Sequence, residues 1–188
     1  MNIFIIHGAY GTGEENWIPW LKEELEQEHH RVIVPRFPTP QHQTLENWLN
    51  VFEECREHIT QDSIFIGHSI GCAFILSLLE TLNIKIKGCI FVAGFVDYLN
   101  NEVFDELNKT FVDKLFDWNT IYNNCEQFYV LQSKDDPYVD FLKGVELSRN
   151  LKTLPIPYDN AGHFNSDAGF DTFEDLLFYI EKIKKFRG

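Results

Sequence analysis

A serine stands between two glycines in the stretch GHSIG, residues 67–71. A short β-branched and aromatic run precedes it and a long apolar run follows, so the pattern G-x-S-x-G lies where a predicted strand meets a predicted helix. A turn this sharp needs small residues two positions before and after the serine, and Gly67 and Gly71 supply them. Such a turn lifts the Ser69 hydroxyl clear of the backbone, and Ser69 is therefore predicted to be a nucleophile.

A serine hydroxyl is a weak nucleophile until a base removes its proton. The chain has seven histidines, and His163 is the one in a polar, glycine-containing loop after the last predicted strand, DNAGHFNSD. In α/β-hydrolases the base occupies that place in the chain order. A histidine in such a loop would otherwise be read as merely solvated, but together with Ser69 it predicts a nucleophile and base pair.

The third group required is a carboxylate that orients the imidazole and stabilises its protonated form. The stretch KDDPYV ends a predicted strand and enters a turn, where acids commonly act only as caps. Asp136 is the predicted triad acid, because Pro137 fixes the turn after it and Val139 is expected to be buried. Asp135 is expected to face solvent or to cap the following helix, and Asp135→Asn is expected to matter far less than Asp136→Asn.

The predicted helix after the serine begins at Ile70. Its unpaired amides and its positive end would face the developing oxyanion, so the Ile70 amide is a predicted oxyanion donor. The glycine-rich stretch HGAYGTG, residues 7–13, could also be read as a phosphate-binding loop. It lacks the Lys-Ser/Thr ending of a P-loop and the spacing of G-x-G-x-x-G, which disfavours nucleotide binding.

Short apolar runs alternate with helical patterns along the chain, which predicts an α/β fold with mostly parallel strands and helices on both faces. The five or six predicted strands cover residues 2–6, 31–35, 63–67, 88–93, 127–132 and, less clearly marked, 152–157. A helix is predicted around residues 45–52, and a C-terminal one is predicted to open on a capping box formed by Asp171 and Glu174. No repeat or linker divides the chain, so residues 1–188 are expected to form a single domain.

The segment 95–126 interrupts this alternation, because it is longer than an ordinary connection and carries many aromatic and acidic residues. It is expected to form either a small cap or an extended crossover helix. If the segment lies over Ser69, Phe95 and Trp118 would line a small apolar pocket together with Tyr10 from the first loop. Short neutral esters, about C2 to C6, would then be better substrates than long or anionic ones.

Composition narrows the range of partners and cellular locations to be expected. The formal net charge of −13 disfavours nucleic acid and anionic lipid as partners, and no apolar run is long enough to cross a bilayer. The N-terminus makes a poor signal peptide, and the four widely spaced cysteines form no CxxC pair, so they are expected to be free thiols. A cytoplasmic protein acting on a small-molecule acyl substrate is predicted, and the sequence identifies no protein partner.

The stretches HGAYGTGEENWIPWLKEEL, GHSIG, KDDPYV and GHF together resemble the small single-domain serine hydrolases of the retinoblastoma-binding-protein-nine type and their bacterial relatives. The likeness spans residues 3–180. It implies a compact α/β-hydrolase sheet lacking the first hairpin, no metal or other cofactor, and hydrolysis of small ester or amide bonds. It also assigns nucleophile, acid and base to Ser69, Asp136 and His163.

The same resemblance implies that the Ala9 amide is the second oxyanion donor, next to that of Ile70, and that Gly8 lets the backbone approach the reacting carbonyl. One position departs from the family, since the residue after Val139 is often proline there and is Asp140 here. The sequence thus predicts a serine hydrolase that cleaves a small ester, thioester or amide through an acyl-enzyme. The alternative is a binding or interaction module that keeps the fold without turnover.

Overall fold

A computed structural model describes residues 1–186 of the chain. Six strands form one parallel sheet in the order β2-β1-β3-β4-β5-β6. The strands are β1 (Asn2–Ile6), β2 (Arg31–Ile33), β3 (Ile64–His68), β4 (Gly88–Val92), β5 (Phe128–Ser133) and β6 (Pro155–Tyr158). The helices are α1 (Ile18–Gln27), α2 (Leu45–Arg56), α3 (Ile70–Leu79), α4 (Glu102–Val112), α5 (Trp118–Asn123), α6 (Phe141–Asn150) and α7 (Glu174–Lys185). The predicted α/β class is confirmed.

The central strands are buried on both faces, which is why β3 and β4 read as continuous apolar runs rather than alternating ones. Successive side chains enter different cores. Phe4 of β1 stacks on Phe65 of β3 in one core, with ring centroids 4.4 Å apart. Their neighbours Ile3 and Ile64 pack into the other core, on the opposite face of the sheet.

Three strands are shorter than the sequence predicts, β4 by one residue and β2 and β6 by two each. β2 ends at Ile33 rather than continuing to Pro35, because proline has no amide hydrogen to donate to a ladder. β6 starts at Pro155, because Lys152 and Thr153, the first two residues of the predicted strand, bond to the C-terminal end of α6 instead. The Lys152 amide donates to the Arg149 carbonyl at 3.1 Å, and the next residue bonds back to the helix in the same way.

The predicted capping box at the start of α7 is wrong. The N-terminal cap position of that helix is Phe173, which makes no side-chain capping hydrogen bond. Asp171 accepts a hydrogen bond from the Ser166 hydroxyl at 2.6 Å instead. Asp171 therefore links two positions within the loop that precedes α7. Glu174 is the first residue of this helix, whereas a capping box would make it the third.

The segment 95–126 connects β4 to β5 and contains α4 and α5. Helix α4 packs against α3 and buries Phe111 against Trp48, with ring centroids 4.9 Å apart. Leu99 from the loop before α4 and Phe104 and Asn108 from the helix itself line a cavity. The segment is a two-helix crossover, one end of which contributes a cavity wall.

Candidate active site

Ser69 lies between β3 and α3 with backbone angles φ 55° and ψ −125°, a conformation that residues other than glycine rarely adopt. The Ser69 amide donates to the Val92 carbonyl at 2.9 Å, which fixes the turn to the end of β4. A Cβ atom added at Gly71 would lie 2.6 Å from the Ile6 carbonyl oxygen, and one added at Gly8 would lie 3.0 Å from the Ser69 Cβ. Both glycines are therefore required for the close approach of the first loop to the serine turn.

His163 and Asp136 are joined by a hydrogen bond of 2.8 Å between Nδ1 and Oδ2. The Asp136 side chain is fully buried, and that of His163 is 12% exposed. The other carboxylate oxygen, Oδ1, accepts from the amides of Tyr138 at 2.9 Å and Val139 at 3.0 Å. Because a carboxylate can only accept, His163 carries its proton on Nδ1, and Nε2 remains free to accept.

Asp135 is exposed, as the sequence predicts as one alternative, but it does not cap the following helix. Its Oδ1 accepts from the Ser133 hydroxyl at 2.6 Å and from the amides of Ala161 and Gly162, each at 3.0 Å. These bonds, that of the Ser133 hydroxyl first, hold the pKa of Asp135 below its usual range. The cap of α6 is Asp140, whose Oδ1 accepts from the Leu142 amide. Asp135 therefore anchors the two residues that precede His163.

Two buried histidines support the same loops without sharing the role predicted for His163. Nε2–H of His68 donates to the His163 carbonyl at 2.8 Å. Burial, followed by the charge of His163, lowers the pKa of His68 to about 3. Nδ1–H of His7 donates to the Gly8 carbonyl at 2.8 Å, while its Nε2 accepts from the Phe37 amide. Burial lowers the pKa of His7 as well, so both rings are neutral supports of the loops around Ser69.

A cavity of about 330 Å³ opens at this edge of the sheet. It brings together four of the residues predicted from the sequence, namely Ala9, Tyr10, Ser69 and His163. Ile70 begins α3 directly after the serine. Among residues 1–186, the amides of Ala9 and Ile70 donate to no other protein group, so both are available to a ligand.

Phe95 and Trp118 do not line the cavity, which corrects the prediction for both. Phe95 lies three residues beyond the end of β4 and is fully buried in the hydrophobic core that also contains the apolar residues of α3. Trp118 opens α5 and packs against Phe116, with ring centroids 5.3 Å apart. Of the three aromatic residues proposed as pocket walls, Tyr10 alone reaches the cavity.

Sequence reasoning missed several residues of the cavity wall. Phe104 lies between Tyr10 and Tyr138, at centroid distances of 6.4 and 5.7 Å, and Tyr138 contacts the ring of His163 edge-on. Asn108 follows Phe104 by four residues, so the two share one face of α4. That spacing was the available signal, but the buried Phe111 shares the same stripe and gives it the pattern of a core face.

Within residues 1–186, no group of three or more His, Cys, Asp or Glu side chains is placed to hold a metal ion. The same part of the chain contains no helix that is both long and apolar enough to span a membrane. All four cysteines are free thiols, and burial raises the pKa of Cys72 well above its usual range. Cys72 follows the serine turn closely, but its protonated thiol is a core group rather than a second nucleophile.

Comparison with known proteins gives a consistent result. Residues 3–182 match the serine hydrolase family. YdeN of Bacillus subtilis is 30% identical over 187 residues, 96% of each chain, and its crystal structure superposes with a TM-score of 0.91 over 98% of this chain and 99% of that one. Serine hydrolase RBBP9 of Rattus norvegicus is 24% identical over 94% of this chain and 91% of its own. This chain therefore belongs to the serine hydrolase family.

Proposed function

We propose that this serine hydrolase cleaves small neutral esters, thioesters or amides through an acyl-enzyme formed on Ser69. The observation that carries the proposal is the 2.8 Å hydrogen bond between the buried Asp136 carboxylate and Nδ1 of His163, beside a cavity that Ser69 also lines. A carboxylate in that position holds the imidazole in the tautomer whose Nε2 can accept a proton. The strained turn at Ser69 presents a hydroxyl to the same space.

In the first step, Nε2 of His163 takes the proton of the Ser69 hydroxyl as its oxygen attacks the substrate carbonyl. The imidazolium that forms is stabilised by Asp136. The carbonyl oxygen becomes an oxyanion, and the free amides of Ala9 and Ile70 donate to it. When the intermediate collapses, the leaving group receives the proton from Nε2.

The second half of the cycle repeats this chemistry with water. Nε2 of His163 removes a proton from a water molecule, whose oxygen attacks the acyl carbonyl. Collapse of the second tetrahedral intermediate breaks the bond to the Ser69 oxygen, which regains its proton from His163. The products are a carboxylic acid and free enzyme, and no redox or metal chemistry is needed to balance either step.

The proposed size of the substrate follows from the cavity. A volume of about 330 Å³ is at the lower end of the range for ligand sites, which suits short acyl groups. The net charge of −13 and the presence of Glu15 in the cavity wall disfavour anionic substrates. Small uncharged esters with acyl groups of about C2 to C6 are therefore the proposed class.

The test is labelling with a fluorophosphonate probe, together with hydrolysis of p-nitrophenyl esters of increasing acyl length. Wild-type protein is expected to be labelled, and Ser69→Ala is expected to lose both labelling and turnover. Circular dichroism of the two proteins controls for folding. Folded wild-type protein that is neither labelled nor active would instead favour a binding module, and an optimum at long acyl chains would contradict the size argument alone.

A further inference from the structure

The Asn108 side chain in the cavity wall uses only one of its two polar atoms in hydrogen bonds to the described residues. Asn108 on α4 is only 3% exposed, and it lines the cavity that contains Ser69. Its Oδ1 accepts a hydrogen bond from Gln43, but within residues 1–186 its amide nitrogen Nδ2 donates to nothing. Nδ2 is not among the described buried atoms that lack a partner, so its N–H group is open to the cavity and can donate there to water or to an acceptor atom of a ligand.

The orientation of the Asn108 amide is fixed by a chain of hydrogen bonds that runs in one direction. The Tyr10 amide, which can only donate, bonds to Oγ1 of Thr39 at 2.7 Å, and the Thr39 hydroxyl in turn donates to Oε1 of Gln43. Nε2 of Gln43 then donates to the Leu107 carbonyl at 3.3 Å and to Oδ1 of Asn108 at 2.9 Å. Because both ends of the chain are backbone groups of fixed polarity, Asn108 must present Nδ2–H to the cavity.

Hydrogen bonds from backbone amides also fix the orientation of two further asparagine side chains of the cavity wall. Oδ1 of Asn16 accepts from the Ser166 amide at 2.9 Å, and Oδ1 of Asn165 accepts from the Ala168 amide at 3.2 Å. Each acceptor oxygen is occupied by a backbone N–H group, which leaves the amide nitrogens of both side chains as available donors. Three asparagines whose amide nitrogens bond to no described protein group therefore line the cavity that contains Ser69, in addition to the amides of the first loop and of α3.

Among the described lining residues there is no lysine or arginine, and Glu15 contributes a carboxylate. The donors are thus neutral amides in an acidic setting, which suits uncharged acceptor oxygens and not carboxylate or phosphate groups. Carbonyl, ether and hydroxyl oxygens are acceptors of that kind.

We infer that Asn108 is a specificity residue that donates a hydrogen bond to a neutral oxygen in the acyl part of the substrate. The inference rests on the proposed function and narrows its substrate class to esters of oxygen-containing acyl groups, such as oxo or alkoxy acids. A hydrocarbon acyl group of equal length leaves the Asn108 donor unpaired. One neutral hydrogen bond of this type gives a discrimination of about five- to tenfold in kcat/KM.

The experiment compares two pairs of p-nitrophenyl esters that differ by one oxygen, methoxyacetate against butanoate and 4-oxopentanoate against pentanoate. The ratio of kcat/KM within each pair is measured for wild type and for Asn108→Leu, so that intrinsic ester reactivity cancels between the two proteins. Asn108→Leu is expected to lower the ratio about five- to tenfold in at least one pair. Asn123→Leu, the same substitution at an exposed helical position outside the cavity, is expected to leave both ratios unchanged.

A second variant protects the test against loss of folding. Asn108→Asp keeps an oxygen for the bond from Gln43 and replaces the cavity donor by an acceptor, so it is also expected to lower the ratios. Unchanged ratios in both Asn108 variants, with fluorophosphonate labelling of Ser69 retained, would overturn the inference and leave the hydrolase proposal standing. Wild-type protein that is neither labelled nor active on any of the four esters would overturn both.

Discussion

The two walls of the cavity are built in different ways. On one side, Ser69, Ala9 and His163 sit on loops at the carboxyl ends of strands, and the side chains of His68 and Asp135 bond to backbone groups of the loop that carries His163. On the other side, Phe104 and Asn108 project from α4, a helix that packs on α3 and is linked to the first loop through side chains. The first wall carries the proposed chemistry, and we propose that the second wall limits which substrates fit.

The difference between the walls shows which part of such a site can be predicted from local sequence. The carboxyl ends of parallel strands meet at one edge of the sheet, so motifs that follow separate strands converge without further information. A crossover of more than thirty residues has no comparable constraint, because its path depends on packing against helices distant in sequence. We therefore expect substitutions in the first wall to change turnover and those in the second to change substrate preference.

The largest expected effect concerns the two adjacent acids of the first wall. Asp136→Asn keeps an oxygen for the amides of Tyr138 and Val139 but turns an N–H group toward His163. The imidazole proton then moves to Nε2, which can no longer accept the Ser69 proton, and kcat is expected to fall by about 10³ to 10⁴. The measurement is kcat on p-nitrophenyl acetate, with the melting temperature as the folding control.

Asp135→Asn is the matched control for that substitution. An asparagine oxygen can still accept from Ser133 and from the amides of Ala161 and Gly162, although without charge. The loop before His163 is expected to remain in place, with kcat reduced by about tenfold at most. Equal losses from the two variants would show that loop anchoring, rather than orientation of the imidazole by Asp136, controls turnover.

The outcome for these neighbouring acids illustrates how far sequence reasoning reached. The turn after β5 favoured Asp136 over its neighbour, because a proline and a valine expected to be buried fix the direction of the chain after it, and Asp136 is the acid whose carboxylate bonds to His163. It assigned Asp135 to solvent or to a helix cap, because nothing local shows that the loop after β6 returns to within 3.0 Å of its carboxylate. The two amides of that loop are twenty-six and twenty-seven residues from Asp135 in the chain, and long-range contacts of that kind have no pattern in the nearby sequence.

The strand and helix order was predictable for a related reason. Most strands of the sheet are short apolar runs that alternate with helical patterns, so five strands could be recognised one at a time and the sixth less surely. The aromatic content of the segment 95–126 was recognised too, but not which side chains face inward. Phe95 and Phe104 look alike in sequence, and the structure separates them because the chain crosses from the core to the surface between the two.

A second prediction uses this pair to sharpen the contrast between packing and substrate contact. Phe95→Ala removes a fully buried ring and is expected to lower the free energy of unfolding by about 3–5 kcal/mol. Phe104→Ala removes a partly exposed ring from the cavity wall, and its main expected effect is a kcat/KM lower by about tenfold on butanoate esters. Urea denaturation and steady-state kinetics of both variants check this. A larger loss of kcat/KM per folded molecule in Phe95→Ala than in Phe104→Ala would show that Phe95 contacts the substrate.

The smallest expected effect is a pH dependence of stability that arises from His68. Its pKa is about 3 in the folded protein and about 6.5 when unfolded, so between these values the unfolded chain binds the additional proton. The free energy of unfolding should therefore fall as pH decreases below about 6.5, by up to about 1.4 kcal/mol per pH unit from this histidine. His68→Gln retains a donor for the His163 carbonyl but cannot titrate, so its stability should fall less steeply between pH 6.5 and pH 5. Urea denaturation of both proteins over that range measures the difference, and equal slopes would show that His68 is protonated in the folded state.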